Sequence, residues 1–346
     1  MGVGEGRANR SRFGSEALET AEKGPGARGL NSPFVPPRCL QDAYVQTILS
    51  SSSLRTLGPN PMRERAREVI FDAGGGVRLQ GFHSPQDSRS RGLVILLHGW
   101  EGSAESTYIL HAGRFLFGQG YEVFRLNFRD HGQTHHLNEG LFYGTLFDEV
   151  FSAVRQAAAL DRSGRVFLAG FSLGGNFALR VARRCAREPI THLRHILAVS
   201  PALDPAHATD AIDASPILRW YFLKKWRRSL MVKQALYPGL YDFSGLPGIG
   251  TLRGLTEELI RRSGIYPDAE TYFRGYTLSG AFLEDSGVPV TIVSARDDPA
   301  IPVEDFQGLD LASHGTLVIH TYGGHNGFLY GPWAPAWYER IMPDLF

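Results

Sequence analysis

The sequence of 346 residues predicts an α/β architecture: a mostly parallel, twisted sheet flanked by helices, with one helical insertion. Three observations carry that prediction. The runs GLVILLHG (92–99), RVFLAG (165–170) and VPVTIVSA (288–295) are almost continuously apolar, as strands buried on both faces must be. Stretches with helical spacing separate them, so successive strands require crossover helices. The alternation fails once, over residues 205–286, which read as helical and aromatic.

Taken in order, residues 1–30 are rich in Gly, Ala, Arg and Glu and bury too little to offset their ordering entropy, which predicts a disordered tail. From residue 67, REVIFDAGGGVRLQGFHS reads as a β-hairpin around Gly74, Gly75 and Gly76. A helix is expected from about Ser106 to Phe117, a strand at YEVFRLNF (121–128) and a helix over 146–160, where Val150, Val154 and Ala158 share a face. RVFLAG runs straight into the helical LGGNFALRVARRCA. RHILAVS (194–200), VPVTIVSA and GTLVIHTY (315–322) are further strands, and WAPAWYERIM closes the chain as a helix. Residues 31–204 and 287–346 thus form the core. Residues 205–286 form a cap over the carboxyl edge of the sheet, where open α/β sheets bind ligands.

Composition narrows the function. Lys and Arg number 36 against 35 Asp and Glu, which gives no electrostatic reason to expect nucleic acid. Two cysteines are too few for a disulfide framework or thiolate metal site and fit a reducing cytosol. No apolar run reaches the ~18 residues that span a bilayer. No signal-peptide core opens the chain, and Gly6 leaves a myristoylation signal incomplete. A soluble, cytoplasmic protein is expected, with no stable membrane insertion and no readable oligomeric state.

The chemistry converges on Gly-Phe-Ser-Leu-Gly at 170–174. This string sits between an apolar strand and a helix, where a sharp turn exposes a serine above a sheet. Gly170 and Gly174 remove the side chains that would clash in such a turn, leaving Ser172 as a nucleophile. A serine hydroxyl needs a base. His325, in Gly-Gly-His-Asn-Gly after the last strand, is the best placed of the 12 histidines. His320 lies inside that strand and reads as a packed residue. The orienting acid is Asp297 or Asp298 in Ser-Ala-Arg-Asp-Asp-Pro-Ala-Ile-Pro, with Asp298 favoured as four residues ahead of Pro302. Asp297 would then face Arg296 or solvent. Backbone N–H groups for an oxyanion are expected from Leu173, at a helix start, and from Trp100, in the loop after GLVILLHG. His98 braces that loop. His131, His135 and His136 lack the firm spacing of a metal site, so none is assigned. No dinucleotide fingerprint or phosphate loop is present, and no cofactor is expected.

These motifs, with PFVPPRCLQDAYVQTIL, LLHGWEGSAES, NFRDHGQTHHLNEGLF, GFSLGGN, ARDDPAIP and GGHNGF, resemble the YheT-like hydrolases of the α/β-hydrolase superfamily over residues 33–346. The resemblance implies a Ser172–His325–Asp298 triad and carboxylic-ester hydrolysis through an acyl-enzyme. Trp100 departs from the smaller apolar residues usual at its position. In the cap, Leu218, Phe222, Trp226 and Leu230 step at i+4 along residues 216–235, interleaved with Lys224, Lys225, Arg227 and Arg228. Phe222, Trp226 and Phe171, beside the serine, are the expected pocket residues, taking an apolar acyl chain. Thioesterase, acyltransferase or perhydrolase chemistry would use the same triad, and a non-catalytic binding protein would have lost turnover.

Overall fold

The computed structural model describes residues 30, 32–87 and 89–346, so the expected disordered tail lies, but for Leu30, outside the described residues. Eight strands form one sheet: β1 (Arg67–Gly74), β2 (Val77–Ser84), β3 (Leu93–Leu97), β4 (Glu122–Leu126), β5 (Val166–Phe171), β6 (Leu193–Val199), β7 (Val290–Ala295) and β8 (Gly315–His320). Their spatial order is β1-β2-β4-β3-β5-β6-β7-β8. The β1–β2 hairpin is antiparallel and meets β4 antiparallel. Every later pairing is parallel, with Leu97 opposite Gly170 and Phe171 opposite Val199.

The central strands are apolar throughout because both faces are covered. On β3, Leu93, Ile95 and Leu97 join one core while Val94 and Leu96 join the other. Helices α4 (Phe147–Ala158) and α5 (Leu173–Arg184) cover the first face with Val150, Val154, Phe177 and Val181. Helices α3 (Thr107–Gly118) and α10 (Trp337–Leu345) cover the second with Ile109, Leu116, Ile341 and Met342. The last helix begins at Trp337, later than WAPAWYERIM suggests. Pro335 disfavours helical backbone before it, and the Glu339 carboxylate accepts from the Ala336 N–H at 2.8 Å, fixing the start.

Two shorter helices precede the sheet, α1 (Ala43–Ser50) and α2 (Pro61–Glu64). Between β6 and β7 the chain leaves the sheet for α6 (Pro205–Ala214), α7 (Pro216–Leu236), α8 (Leu252–Ser263) and α9 (Ala269–Arg274). Asp204, Ser215, Thr251 and Asp268 accept from the first turns of these four helices, and Pro205 and Pro216 open α6 and α7. Leu218, Leu223 and Leu230 of α7, with Leu252, Leu255 and Leu259 of α8, join the core on the α4–α5 face.

Candidate active site

Ser172 follows the end of β5 with φ 54° and ψ −118°, a conformation L residues rarely adopt. Its N–H donates to the Val199 carbonyl at 2.9 Å, so the strained turn is anchored to the neighbouring strand. The flanking glycines are obligatory for room. A Cβ on Gly170 would stand 2.1 Å from the Gly174 carbonyl oxygen, and one on Gly174 would stand 2.4 Å from that of Leu97. Helix α5 therefore starts directly against the end of β3, with its N-terminal amides aimed at the serine.

His325 lies in the loop after β8, nine-tenths buried. Its Nδ1 meets both carboxylate oxygens of Asp298, at 3.1 and 3.0 Å. Asp298 is itself held by the N–H groups of Ala300 (2.8 Å) and Ile301 (3.0 Å). The neighbouring Asp297 faces neither Arg296 nor solvent, as the sequence suggested. It accepts the Gly324 N–H at 2.9 Å and so clamps the histidine loop, and burial raises its pKa. Gly324, at φ 52°, packs so closely on α1 that a Cβ would lie 2.4 Å from the Ala43 carbonyl oxygen.

Helix α1 is the part of the site that sequence reasoning missed. Thr47 Oγ1 accepts the His325 N–H at 2.9 Å. Gln46, fully buried, donates to the Leu329 carbonyl at 3.1 Å and accepts its N–H at 2.8 Å. The stretch PFVPPRCLQDAYVQTIL marked a family resemblance, but nothing in its pattern indicated a brace on a loop some 280 residues away.

After β3, the Gly99 N–H donates to Tyr108 Oη (2.8 Å), that of Glu101 to His131 Nε2 (3.1 Å) and that of Gly102 to the Gly99 carbonyl (3.0 Å). Trp100 is the one residue of the three-amide turn 100–102 whose N–H has no partner among the described residues. His98 braces this loop as expected: Nδ1 meets the Gly99 carbonyl at 2.7 Å and Nε2 accepts the Phe128 N–H at 3.3 Å. Burial pushes its pKa well down, keeping the ring neutral. His320 packs against Trp337 with ring centroids 4.2 Å apart, as a core residue.

Ser172, Leu173, Trp100 and His325 line one cavity with Phe222, Trp226 and Leu230 of α7. Apolar groups from Leu141, Ile212, Leu259, Phe273 and Ile301 extend it. Trp100 stacks on Phe222 (5.5 Å, 9°) and meets Trp226 edge-on (5.0 Å), joining the β3 loop to α7. Phe171 is a correction. Strand alternation turns its ring through the sheet to Tyr108 and Tyr338 on the opposite face, fully buried and away from the cavity.

Two further groups escaped the sequence. Glu101, at φ 54°, lines the cavity, and its carboxyl makes no hydrogen bond among the described residues. Burial raises its pKa to about 7. Lys233 of α7, 1% exposed, donates to Asp130 Oδ1 at 2.8 Å and to the carbonyls of His135, Asn138 and Gly140. It fastens α7 to the loop after β4. In that loop His131 contacts Glu101 and Arg129 while His135 meets Ser229 Oγ at 2.7 Å. Among the described residues no His, Cys, Asp or Glu cluster is gathered for a metal.

Comparison with known proteins bears on the fold and the class of reaction. Residues 88–246 match the profile of a family described as "Serine aminopeptidase, S33". The chain is 27% identical over 329 residues to "Putative esterase slr0264" of Synechocystis, covering 86% of this chain and 87% of that one. It is 21% identical to "Putative esterase YheT" of Escherichia coli, covering 91% and 93%. To "Phospholipase ABHD3" of Homo sapiens it is 23% identical, covering 82% and 72%. Among solved structures, 2,6-dihydroxy-pseudo-oxynicotine hydrolase superposes with a TM-score of 0.50 at 18% identity. That match covers 81% of this chain and 64% of that one, and speaks for the fold. An eight-stranded sheet of this order, its serine turn after β5, and likeness to these relatives over most of their length lead to one assignment: the chain is an α/β hydrolase, similar in sequence to the YheT-like esterases.

Proposed function

We propose that the protein is a serine hydrolase of carboxylic esters, acting through an acyl-enzyme on substrates with an apolar acyl chain. Ser172 Oγ attacks the acyl carbonyl while His325 Nε2 takes its proton. Asp298 holds Nδ1–H, sets the tautomer and stabilises the imidazolium. The amides of Leu173 and Trp100 receive the oxyanion. His325 then hands its proton to the departing alcohol, and water deprotonated by the same ring cleaves the acyl-enzyme, regenerating Ser172 and releasing the acid. The observation that carries this reading is the His325–Asp298 pair facing the same cavity as a serine held at positive φ.

Residues 205–286 act as the cap, with Phe222 and Trp226 contacting the acyl chain. The two free cysteines favour a cytoplasmic setting. The names of the relatives, esterase and phospholipase, support an ester as the scissile bond. Hydrolysis of an amide next to a free amine has one observation in its favour: the Glu101 carboxyl, which has no hydrogen-bond partner among the described residues, lines the cavity and would seat an ammonium group.

A matched series separates these. Wild type, Ser172→Ala and His325→Ala are assayed on p-nitrophenyl esters of increasing chain length, acyl thioesters of the same acyl groups, and aminoacyl p-nitroanilides. The proposal expects ester turnover in wild type and its loss in both variants. Turnover of the anilides alone, of thioesters alone, or of nothing by the folded wild type overturns it.

A further inference from the structure

Helix α7 is apolar on two faces, and only one of them is accounted for by the fold. Leu218, Leu223, Trp226 and Leu230 point inward to the core and the cavity. On the opposite side Ile217 is 55% exposed, Trp220 62% and Met231 48%, with Tyr221 and Val232 also exposed. At 100° per residue these five residues, with Lys224 and Arg228, fall within one outward stripe. A helix serving only as a cap needs one apolar face, and its solvent side is then polar.

The charges on α7 are one-sided. Its 21 residues contain Arg219, Lys224, Lys225, Arg227, Arg228 and Lys233, and no Asp or Glu. Lys233 is neutralised internally by Asp130, and Arg227 and Arg219 donate to the carbonyls of Ile249 and Asp213. Lys224 and Arg228 are exposed and make no ion pair among the described residues. The Lys224 ammonium lies 5.1 Å over the Trp220 ring and that of Lys225 5.1 Å over Tyr221. Trp and Tyr beside Lys and Arg, with aliphatic residues between, match the two layers of a bilayer interface.

We propose that the outer face of α7, centred on Trp220, Tyr221, Lys224 and Arg228, docks on an anionic lipid surface. Trp220, Ile217 and Met231 enter the acyl boundary while Lys224 and Arg228 meet the headgroup phosphates. A lipid surface is favoured over a protein partner because like charges with no ion pair among the described residues border the apolar residues on a helix that lacks any acid, and anionic headgroups attract such basic residues. The inner face of the same helix lines the cavity above Ser172, so docking sets the cavity against the membrane. That geometry requires no catalysis and stands apart from the ester reading.

The test is co-sedimentation of the full chain with vesicles of phosphatidylcholine containing about 30% phosphatidylserine, or of phosphatidylcholine alone. Wild type, Trp220→Ala and Lys224→Glu/Arg228→Glu are compared, with hydrolysis of a short soluble ester and circular dichroism as checks on folding. The proposal expects binding to the anionic vesicles, weakened about tenfold or more by the double charge reversal and by raised salt. Trp220→Ala weakens it too, and both variants keep their soluble-ester rate and their spectra. Equal binding to neutral vesicles, absence of binding to either, or binding indifferent to both variants overturns it. So does a dimer in light scattering that Trp220→Ala dissolves while vesicles bind nothing, since the face would then belong to a second copy.

Discussion

The carboxyl edge of the sheet and the helices that cover it present opposite designs. At the sheet edge, each group is over-determined. Ser172 is trapped between two glycines that admit no Cβ, Asp298 is held by two amides, and His325 is fastened through Thr47, Gly324 and Asp297. Over the sheet, α7 is held by one buried ion pair, by aromatic stacking on Trp100 and by scattered polar contacts. The lesson is that the groups proposed for chemistry sit where backbone constrains backbone, whereas the proposed selectivity and docking rest on side chains that can be exchanged.

Six substitutions in four tests sharpen or break that contrast. Asp298→Asn removes the carboxylate on His325 Nδ1 and should lower kcat by about 10⁴-fold. Asp297→Asn, one residue away, should cost about tenfold, acting only through the loop it clamps. Steady-state kinetics on one ester distinguishes them, and equal losses would show that the two acids share the role.

Gly174→Ala drives a Cβ into the Leu97 and His98 carbonyls, and should destabilise by at least about 3 kcal/mol. Gly239→Ala, in the connection after α7 with nothing within 4 Å of the added carbon, should stay within about 0.5 kcal/mol. Urea denaturation of both variants reads the difference directly.

Glu101 tests the electrostatics of the cavity. Its pKa rises to about 7 from an ordinary value of 4.5, so the folded protein binds its proton more tightly than the unfolded chain. Stability contributed by this group is therefore full below pH 4.5 and declines until about pH 7, a loss on the order of 3 kcal/mol. Glu101→Gln should flatten that decline and stabilise the protein above pH 7, measured as urea midpoints across pH. An unchanged slope would mean that the carboxyl is solvated in the folded state.

Phe222→Ala should raise KM for longer acyl esters about tenfold while leaving kcat for the shortest ester near wild type. A uniform loss across chain lengths would assign Phe222 to holding Trp100 in place instead.

The same contrast explains what was legible beforehand. The turn at Ser172 was readable because its strain demands glycines at fixed positions between strand and helix. Asp298 was favoured over Asp297 from its spacing to Pro302 alone; the hydrogen bonds it accepts from Ala300 and Ile301 are visible only in the structure. The parallel strands were readable as apolar runs. Phe171 was misplaced because adjacency in sequence to Ser172 says nothing of which side of the sheet its ring occupies. Thr47, Gln46 and Lys233 were invisible for a different reason. Each acts on a segment remote in the chain, and a Lys in a basic helix looks solvated until its acceptors are seen. On α7 the interleaved basic residues were readable, as a solvated face or one that meets lipid headgroups, but the exposure of Ile217, Trp220 and Met231 beside them was not.

The central claim is that Ser172 is an activated nucleophile, and intact-mass analysis after incubation with a fluorophosphonate tests it most directly. The account predicts a single adduct on wild type, its absence in Ser172→Ala, and markedly slower formation in His325→Ala. A folded wild-type protein that gains no adduct, or a Ser172→Ala variant that labels as fast as wild type, would contradict it.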